Sequence, residues 1–312
     1  MNRIFNLVKK VFTTRILYHY VRASLFRKLL RNPGFITNDL LYLKVYYRLG
    51  MDETLKIHKP ESYTQKIQLL KLLNTDPYYS ILVDKYQVRT IVEKILGERY
   101  LIPLLGVWDN FEQIEFDRLP DRFVLKTTHD SGNVLICKSK ATFDVGNARH
   151  RLDNALKLNY FYKSREYPYK NAIPRIIAEK YLSDNEQSEL DDYKFFCFDG
   201  VVKFIEITKS KGNFKARGYF DINFKPLPFF DGNATKLDLP APPLNSAEMI
   251  RIAETLSKGL LHVRIDLYNI HSQIYFGEFT FHHNGGIIHF HLTEWNKKIG
   301  DMINLPSTLK LG

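Results

Sequence analysis

The chain has 312 residues, 45% of them hydrophobic and 25% charged, and a formal net charge of +11. That is an ordinary globular composition, long enough for a substantial core and two or three subdomains, and it excludes disordered, collagen-like and coiled-coil classes. No apolar run reaches the ~20 residues of a membrane span, and the two cysteines, Cys137 and Cys197, sit in apolar strand-like runs, as buried free thiols of a cytoplasmic protein do.

Residues 1–31 hold eight Lys or Arg and no Asp or Glu, while Phe5, Val8, Phe12, Ile16, Tyr20 and Leu25 recur close to helical spacing. This predicts a basic amphipathic helix, which either makes peripheral contact with the inner membrane face or packs its stripe on the body of the protein. Charges interrupt every candidate core of a signal peptide. The basic run is confined to one end and no nucleic-acid motif accompanies it, so nucleic acid is not expected as a partner. Residues 32–83 predict short helices and loops, with SYTQKIQLLKLLN as an amphipathic helix, and residues 84–97 open with an acid and close with a glycine as a helix does. Residues 100–103 and 104–107 read as extended, 122–138 as strand, polar glycine loop and strand, 148–160 as helix, and 174–182 as a buried strand. Residues 193–198 and 201–207 form a hairpin about Asp199-Gly200, and 246–259 form an amphipathic helix.

The stretch VRIDLYNIHSQIYFGEFTFHHNGG, residues 263–286, alternates apolar with polar on both sides of a short polar turn. Side chains repeat every second residue on a strand, so Arg264 and Asp266 share a face, Glu278 and Thr280 share another, and the two carboxylates can meet across the ladder. Carboxylates that close repel unless a cation or proton lies between them, which points to a hard divalent ion such as Mg²⁺; the alternative is the wet face of an ordinary hairpin. His282, His283, His289 and His291 admit a separate zinc reading, although Asn284-Gly285-Gly286 splits the two pairs and an exposed or substrate-facing loop is preferred. Around residues 126–134, a strand, a glycine loop and a strand offer a lysine and backbone N–H groups to a phosphate chain, without the spacing of a Walker or dinucleotide loop.

Taken in order, a lysine opening a helix, a lysine before a glycine loop, a Glu-Lys pair ending a strand, then Arg-x-Asp and Glu-x-Thr follow the ATP-grasp order. On DKYQVR (84–89), LIPLLGVWDNF (101–111), FVLKTTHDSGNVLICK (123–138), YPYKNAIPRIIAEKYL (167–182), DYKFFCFDGVVKFI (192–205) and VRIDLYNIHSQIYFGEFTF (263–281), the sequence resembles the TupA-like ATP-grasp family. That family is named for teichuronopeptide biosynthesis and found among bacterial cell-surface polysaccharide genes. The resemblance implies an α+β ATP-grasp fold, with two α+β subdomains clamping a nucleotide behind a helical N-terminal region. Its expected divisions are a basic helix (1–31), an N-terminal helical region (32–83), a small or central subdomain with the glycine loop (84–182) and a C-terminal subdomain with the metal site (183–312).

The resemblance further implies ATP and Mg²⁺ as cofactors. It assigns Lys85 and Lys126 to the α and β phosphates, Ser131 and Gly132 to a loop covering them, and Glu179, Lys180 and Leu182 to a hinge at adenine. Asp266 and Glu278 match the metal ligands and Arg264 the arginine at the transferring phosphoryl group. Thr280 stands where many ATP-grasp enzymes carry Asn, and Lys194 is either a further phosphate contact or a solvated strand residue. Phosphoryl transfer needs charge neutralisation and positioning more than a Ser, Cys or His nucleophile. The implied activity is a carboxylate–amine ligase acting through an acyl phosphate, such as one joining an amino acid to a uronic-acid sugar of a capsule, teichuronic or lipopolysaccharide chain. The partners are then a sugar or amino-acid carboxylate and an amine acceptor. Alternatives are a glycosyltransferase taking a metal-bound UDP-sugar, a kinase on the same fold, and a non-catalytic nucleotide-binding scaffold.

Overall fold

Two sheets hold the candidate site, and each is sided by the alternation of its strands. The computed structural model describes residues 2–183, 190–211, 214–229, 235–236 and 242–306, without the side chains of 2–16, 210–211, 214–215 and 235–236. Helix α1 (Asn2–Arg31) is followed by α2 (Asp39–Met51), α3 (Tyr63–Leu73) and α4 (Pro77–Val83). The last three open on side chains that accept a backbone N–H: Asn38 from Leu41, Ser62 from Gln65 and Asp76 from Tyr78. Helix α5 (Val88–Leu96) starts later than the sequence predicts. Asp84 instead braces a turn, accepting N–H bonds from Tyr86 and Gln87 at 2.9 and 3.0 Å, so Lys85 projects from that turn and not from a helix. The stretch expected to be extended from Tyr100 begins as the end of a 3-10 turn (Glu98–Tyr100), with the Tyr100 hydroxyl donating to Glu248 at 2.6 Å.

Strands β1 (Leu104–Trp108), β2 (Phe123–Thr127) and β3 (Val134–Cys137), helices α6 (Val145–Leu156) and α7 (Phe161–Ser164), and strand β4 (Ile176–Lys180) come next. The four strands pair antiparallel in the order β1-β4-β2-β3. Phe123, Leu125, Leu135 and Ile176 bury one face against Ala148 and Leu152 of α6. The other face carries Val124, Lys126, Val134 and Ile136.

Strands β5 (Asp192–Phe198), β6 (Val201–Lys211), β7 (Phe214–Phe220) and β8 (Thr235–Lys236), helix α8 (Ser246–Ser257), strands β9 (His262–Ile270) and β10 (Gln273–Thr280), and helix α9 (Glu294–Gly300) complete the chain. The second sheet runs β10-β9-β5-β6-β7-β8. Asp199 and Gly200, both at positive φ, make the β5–β6 turn as expected. Phe195, Ile205, Ile207, Ile265 and Leu267 bury one face against Met249, Ile252 and Leu256 of α8; on the opposite face Phe196, Phe198, Phe204 and Tyr219 pack against Tyr63, Ile67 and Leu70 of α3 and Ile299 of α9, beside the polar residues of the candidate site. Cys137 and Cys197 are buried and free. Among the described residues no helix is long and apolar enough to cross a membrane.

The N-terminal helices join the second sheet through Lys71 of α3. Its side chain is buried, donates to the carbonyls of Ser164 and Gly285 at 2.8 Å each, and lies 4.7 Å from the centre of the Tyr46 ring. Burial lowers its pKa from the ordinary 10.5 to about 7, with Glu166 opposing. The unfolded chain keeps this proton up to 10.5, so between the two values it binds more protons than the folded chain and stability rises with pH. Denaturant titrations should find the unfolding free energy of the native chain growing relative to Lys71→Met across that window, by about 5 kcal/mol at most. A difference that does not change with pH would mean that Lys71 stays protonated in the fold.

Candidate active site

The β9–β10 hairpin turns on His271 and Ser272, both at positive φ, and pairs regularly from Ile270 with Gln273 to Leu267 with Phe276. Continued unchanged, that register would set Asp266 opposite Gly277 and Ile265 opposite Glu278, placing the two carboxylates on opposite faces. A β-bulge at Gly277 shifts it by one residue, so Glu278 faces Asp266 and Thr280 faces Arg264. A Cβ on Gly277 would stand 3.0 Å from the Asp266 carbonyl oxygen and 3.3 Å from the Tyr268 ring.

The same face continues across the sheet. Glu278, Asp266, Lys194, Glu206 and Tyr219 are successive partners on β10, β9, β5, β6 and β7. Arg264 grips Asp266 with two contacts of 2.7 Å, from Nε to Oδ1 and from Nη2 to Oδ2. Its Nη2 also donates to Thr280 Oγ1 at 3.1 Å and lies 3.5 Å from Glu278 Oε1, and its Nη1 lies 2.6 Å from His283 Nδ1. Thr280 in turn donates to Glu278 Oε1 at 2.9 Å. Lys194 Nζ donates to Glu206 Oε1 and Thr208 Oγ1 at 3.2 and 3.0 Å, so it is a partnered cation with only 12% of its side chain exposed and not a solvated strand residue. Arg217 Nε stands 3.2 Å from the same Glu206 oxygen. Burial acts to raise the Glu206 pKa, but the charges of Lys194, His283, Arg264 and Arg217 outweigh it and hold the carboxyl at about 2. Burial lifts Asp266 to about 6, with Arg264 opposing and Glu278 adding to the rise.

A cavity of about 210 Å³ opens between the two sheets. Val124, Lys126, Val134 and Ile136 line it from the first sheet, Glu179, Lys180, Tyr181 and Leu182 from the exit of β4, and Asp192 and Tyr268 from the second sheet. Lys126 Nζ donates to Glu179 Oε2 at 2.6 Å and Arg89 Nη1 to Glu179 Oε1 at 3.2 Å, so the carboxylate is clamped between two cations. The Lys85 N–H donates to the Thr128 carbonyl at 3.1 Å, and its Nζ donates to the carbonyl of Asp130. Burial lowers the Lys85 pKa, with the charges of Glu278 and Asp130 opposing. Thr127 and Asn133 donate to the Asp130 side chain and brace the loop, whose tip is the exposed Ser131 and Gly132, the latter at φ 98°.

Lys126, Glu179, Lys180 and Leu182 thus line one cavity, while Arg264, Asp266, Glu278, Thr280 and Lys194 form one connected set on the adjoining sheet. Sequence reasoning missed Arg89, Glu206, Asp192 and Tyr268, and also Val134 and Ile136, which leave 40% and 45% of their surface exposed inside the cleft. The unbroken apolar run VLIC was a usable signal, because a strand with one wet face alternates. The histidines do not converge. His282 lies 3.5 Å from Glu166, His283 contacts Arg264, and His289 and His291 are exposed. Among the described residues no three His, Cys, Asp or Glu side chains form a group that could hold a metal ion, so the zinc reading fails. Asp266, Glu278 and Thr280 still offer an all-oxygen set, which suits Mg²⁺, an ion commonly held by one or two carboxylates with phosphate oxygens and waters filling the remaining positions.

A family model described as TupA-like ATPgrasp matches residues 65–304. No curated protein matches the sequence. Among solved structures the chain is similar to the D-alanine–D-alanine ligase of Bacillus anthracis, at 16% identity and TM-score 0.38, over 64% of this chain and 57% of that one. It is similar also to the D-alanine–D-alanine ligase of Helicobacter pylori, at 12% identity and TM-score 0.37 over 72% and 62%, and to a D-cycloserine synthetase, at 14% and 0.37 over 66% and 64%. The chain therefore spans less than two thirds of the length of each of these proteins.

Gly277→Ala should lower stability by about 1–3 kcal/mol in denaturant titrations, because the added methyl group meets backbone across the bulge. Gly146→Ala in α6, whose methyl would meet nothing closer than 3.5 Å, should be neutral or stabilising. Equal stability of the Gly277 variant and the native chain would mean that the bulge does not depend on glycine.

Proposed function

Because the chain belongs to the TupA-like ATP-grasp family, we propose that it is an ATP- and Mg²⁺-dependent ligase that joins a carboxylate to an amine. The observation that carries this reading is the placement of the carboxylate pair beside the cavity. Tyr268 and Asp192 line the cavity, and Asp266 and Lys194 lie two residues away on the same strands and the same face, a step of about 7 Å. A base seated against Val124, Ile136 and Leu182 would send its phosphates past Lys126 and Lys85, beneath Ser131 and Gly132, toward Asp266, Glu278 and Arg264. In this scheme residues 84–182 and 183–312 are the two halves of the clamp.

An oxygen of the acceptor carboxylate attacks the γ-phosphorus, the bond to the β-phosphate oxygen breaks, and ADP leaves behind an acyl phosphate. The amine then attacks the acyl carbon, inorganic phosphate departs and the nitrogen loses a proton. Mg²⁺ held by Asp266 and Glu278, with the Thr280 hydroxyl beside them, would supply charge neutralisation at the phosphates. Arg264 meets the negative charge on the group in transfer, Lys85 and Lys126 hold the α and β phosphates, and Lys194 keeps a positive charge next to Asp266. The product in this reading is an amide between a sugar carboxylate and an amine on a bacterial cell-surface polysaccharide, a choice supported by the resemblance to the TupA-like family.

Ligand binding to the native state alone raises its stability, by about 3 kcal/mol at a ligand concentration ~100 times Kd. ATP with Mg²⁺ should therefore raise the melting temperature of the native chain and fail to raise that of Lys126→Ala. Glu278→Gln should lose the increment that Mg²⁺ adds over ATP with a chelator while melting like the native chain without ligand. A shift with UDP-sugars and none with ATP would replace the ligase by a glycosyltransferase.

A further inference from the structure

Helix α1 has two unlike faces. On the inner one, Phe26, Leu29 and Leu30 pack with Tyr42 and Tyr46 of α2, the Phe26 and Tyr46 rings lying 5.2 Å apart. The Tyr18 hydroxyl donates to Asp52 at 2.6 Å, and Arg22 lies 3.9 Å from the same carboxylate. On the outer face Leu17, Val21 and Leu25, spaced four apart, form a ridge about 12 Å long that leaves 58%, 45% and 48% of its side-chain surface in water. Tyr20 is also exposed, and Phe35, in the 3-10 turn that follows the helix, is the most open of these at 90%. Arg27, Lys28 and Arg31 are exposed at the end of the helix nearest that turn. Of the residues expected to form its apolar stripe, Tyr20 and Leu25 therefore face solvent, and Phe5, Val8, Phe12 and Ile16 lie outside the described side chains.

We infer that this outer face docks on the surface of an anionic phospholipid bilayer. Single exposed apolar residues need no explanation, whereas a continuous ridge on a helix already anchored by its other face does. The first 38 residues carry eight Lys or Arg and no acid, which sets the charge of the partner as negative. A second copy of this chain would cover the ridge but bring like charge against like, and nucleic acid would engage the cations but leave the ridge in water. An anionic bilayer satisfies both, with the ridge, Tyr20 and Phe35 in the headgroup region and Arg27, Lys28 and Arg31 among the phosphates. This inference is independent of the ligase reading.

The test is sedimentation of the full chain with vesicles of phosphatidylcholine mixed with phosphatidylglycerol, against vesicles of phosphatidylcholine alone. The native protein should pellet with the mixed vesicles only. The combined change Arg27→Glu, Lys28→Glu and Arg31→Glu should weaken partitioning by about tenfold or more. Leu17→Ser, Val21→Ser and Leu25→Ser together should also weaken it, with the melting temperature changed little because about half of each residue's surface already stands in water. Native protein that stays in the supernatant overturns the proposal, as does partitioning that neither set alters. So does a native dimer, seen without vesicles, that the serine changes convert to monomer, because the ridge would then be a subunit contact.

Discussion

The candidate active site depends on parity along a strand. Side chains alternate faces with each residue, so one additional residue on one strand of a pair changes which groups meet. Two such insertions shape the second sheet. The bulge at Gly277 turns Glu278 toward Asp266, and a bulge at Lys203 on β6 slides the next pairing so that Glu206 meets Lys194 instead of Tyr193. The outcome is a line of carboxylate, carboxylate, ammonium and carboxylate across four strands, with Arg264 lying over its first two members. Charges so poor in water are tolerable only because each has an opposite partner within hydrogen-bonding distance. Removing Asp266 or Glu206 would strand its partner as an uncompensated charge, whereas Glu278, at the open end of the line with 36% of its side chain exposed, can lose its charge at little cost to the fold.

The N-terminal helices hold the far end of this arrangement. Directly after β10 the backbone turns through Gly285 and Gly286, both at positive φ, and presents its carbonyls to α3. Gln68 donates to both of them and Lys71 to the first. A Cβ at Gly285 would come within 2.6 Å of the Tyr46 hydroxyl, so α2 and α3 approach that turn as closely as glycine allows. His282 and His283 are thereby directed apart, one to Glu166 and the other to Arg264. The family match begins inside α3, which is consistent with this helix serving the sheet and not a separate unit.

Much of the fold was legible because it follows local rules. Alternation located both faces of β9, and those of β10 on either side of Gly277 but not across it, Asp199-Gly200 located the β5–β6 turn, and the order of lysines, glycine loop and acidic pair led to the family. The missed features are non-local or depend on a one-residue offset. Simple counting back from the Asp199-Gly200 turn sets Glu206 opposite Tyr193, and no residue type at Lys203 announces the bulge that corrects it. Arg89 reaches Glu179 across 90 positions of sequence, a distance over which spacing carries no information. The later start of α5 has a local cause that patterning passes over, because an aspartate can brace a turn as readily as it can cap a helix.

Glu179 gives the cleft a property that a simple basic pocket lacks. Its two oxygens are already taken by Lys126 and Arg89, so an incoming anion must exchange for a contact that exists and does not merely find a bare charge. Weak monovalent anions gain little from such a swap, while a ligand with several negative oxygens can replace the carboxylate on Lys126 and leave Glu179 to Arg89. The cleft behaves as an ion exchanger, admitting guests by valence as well as by shape.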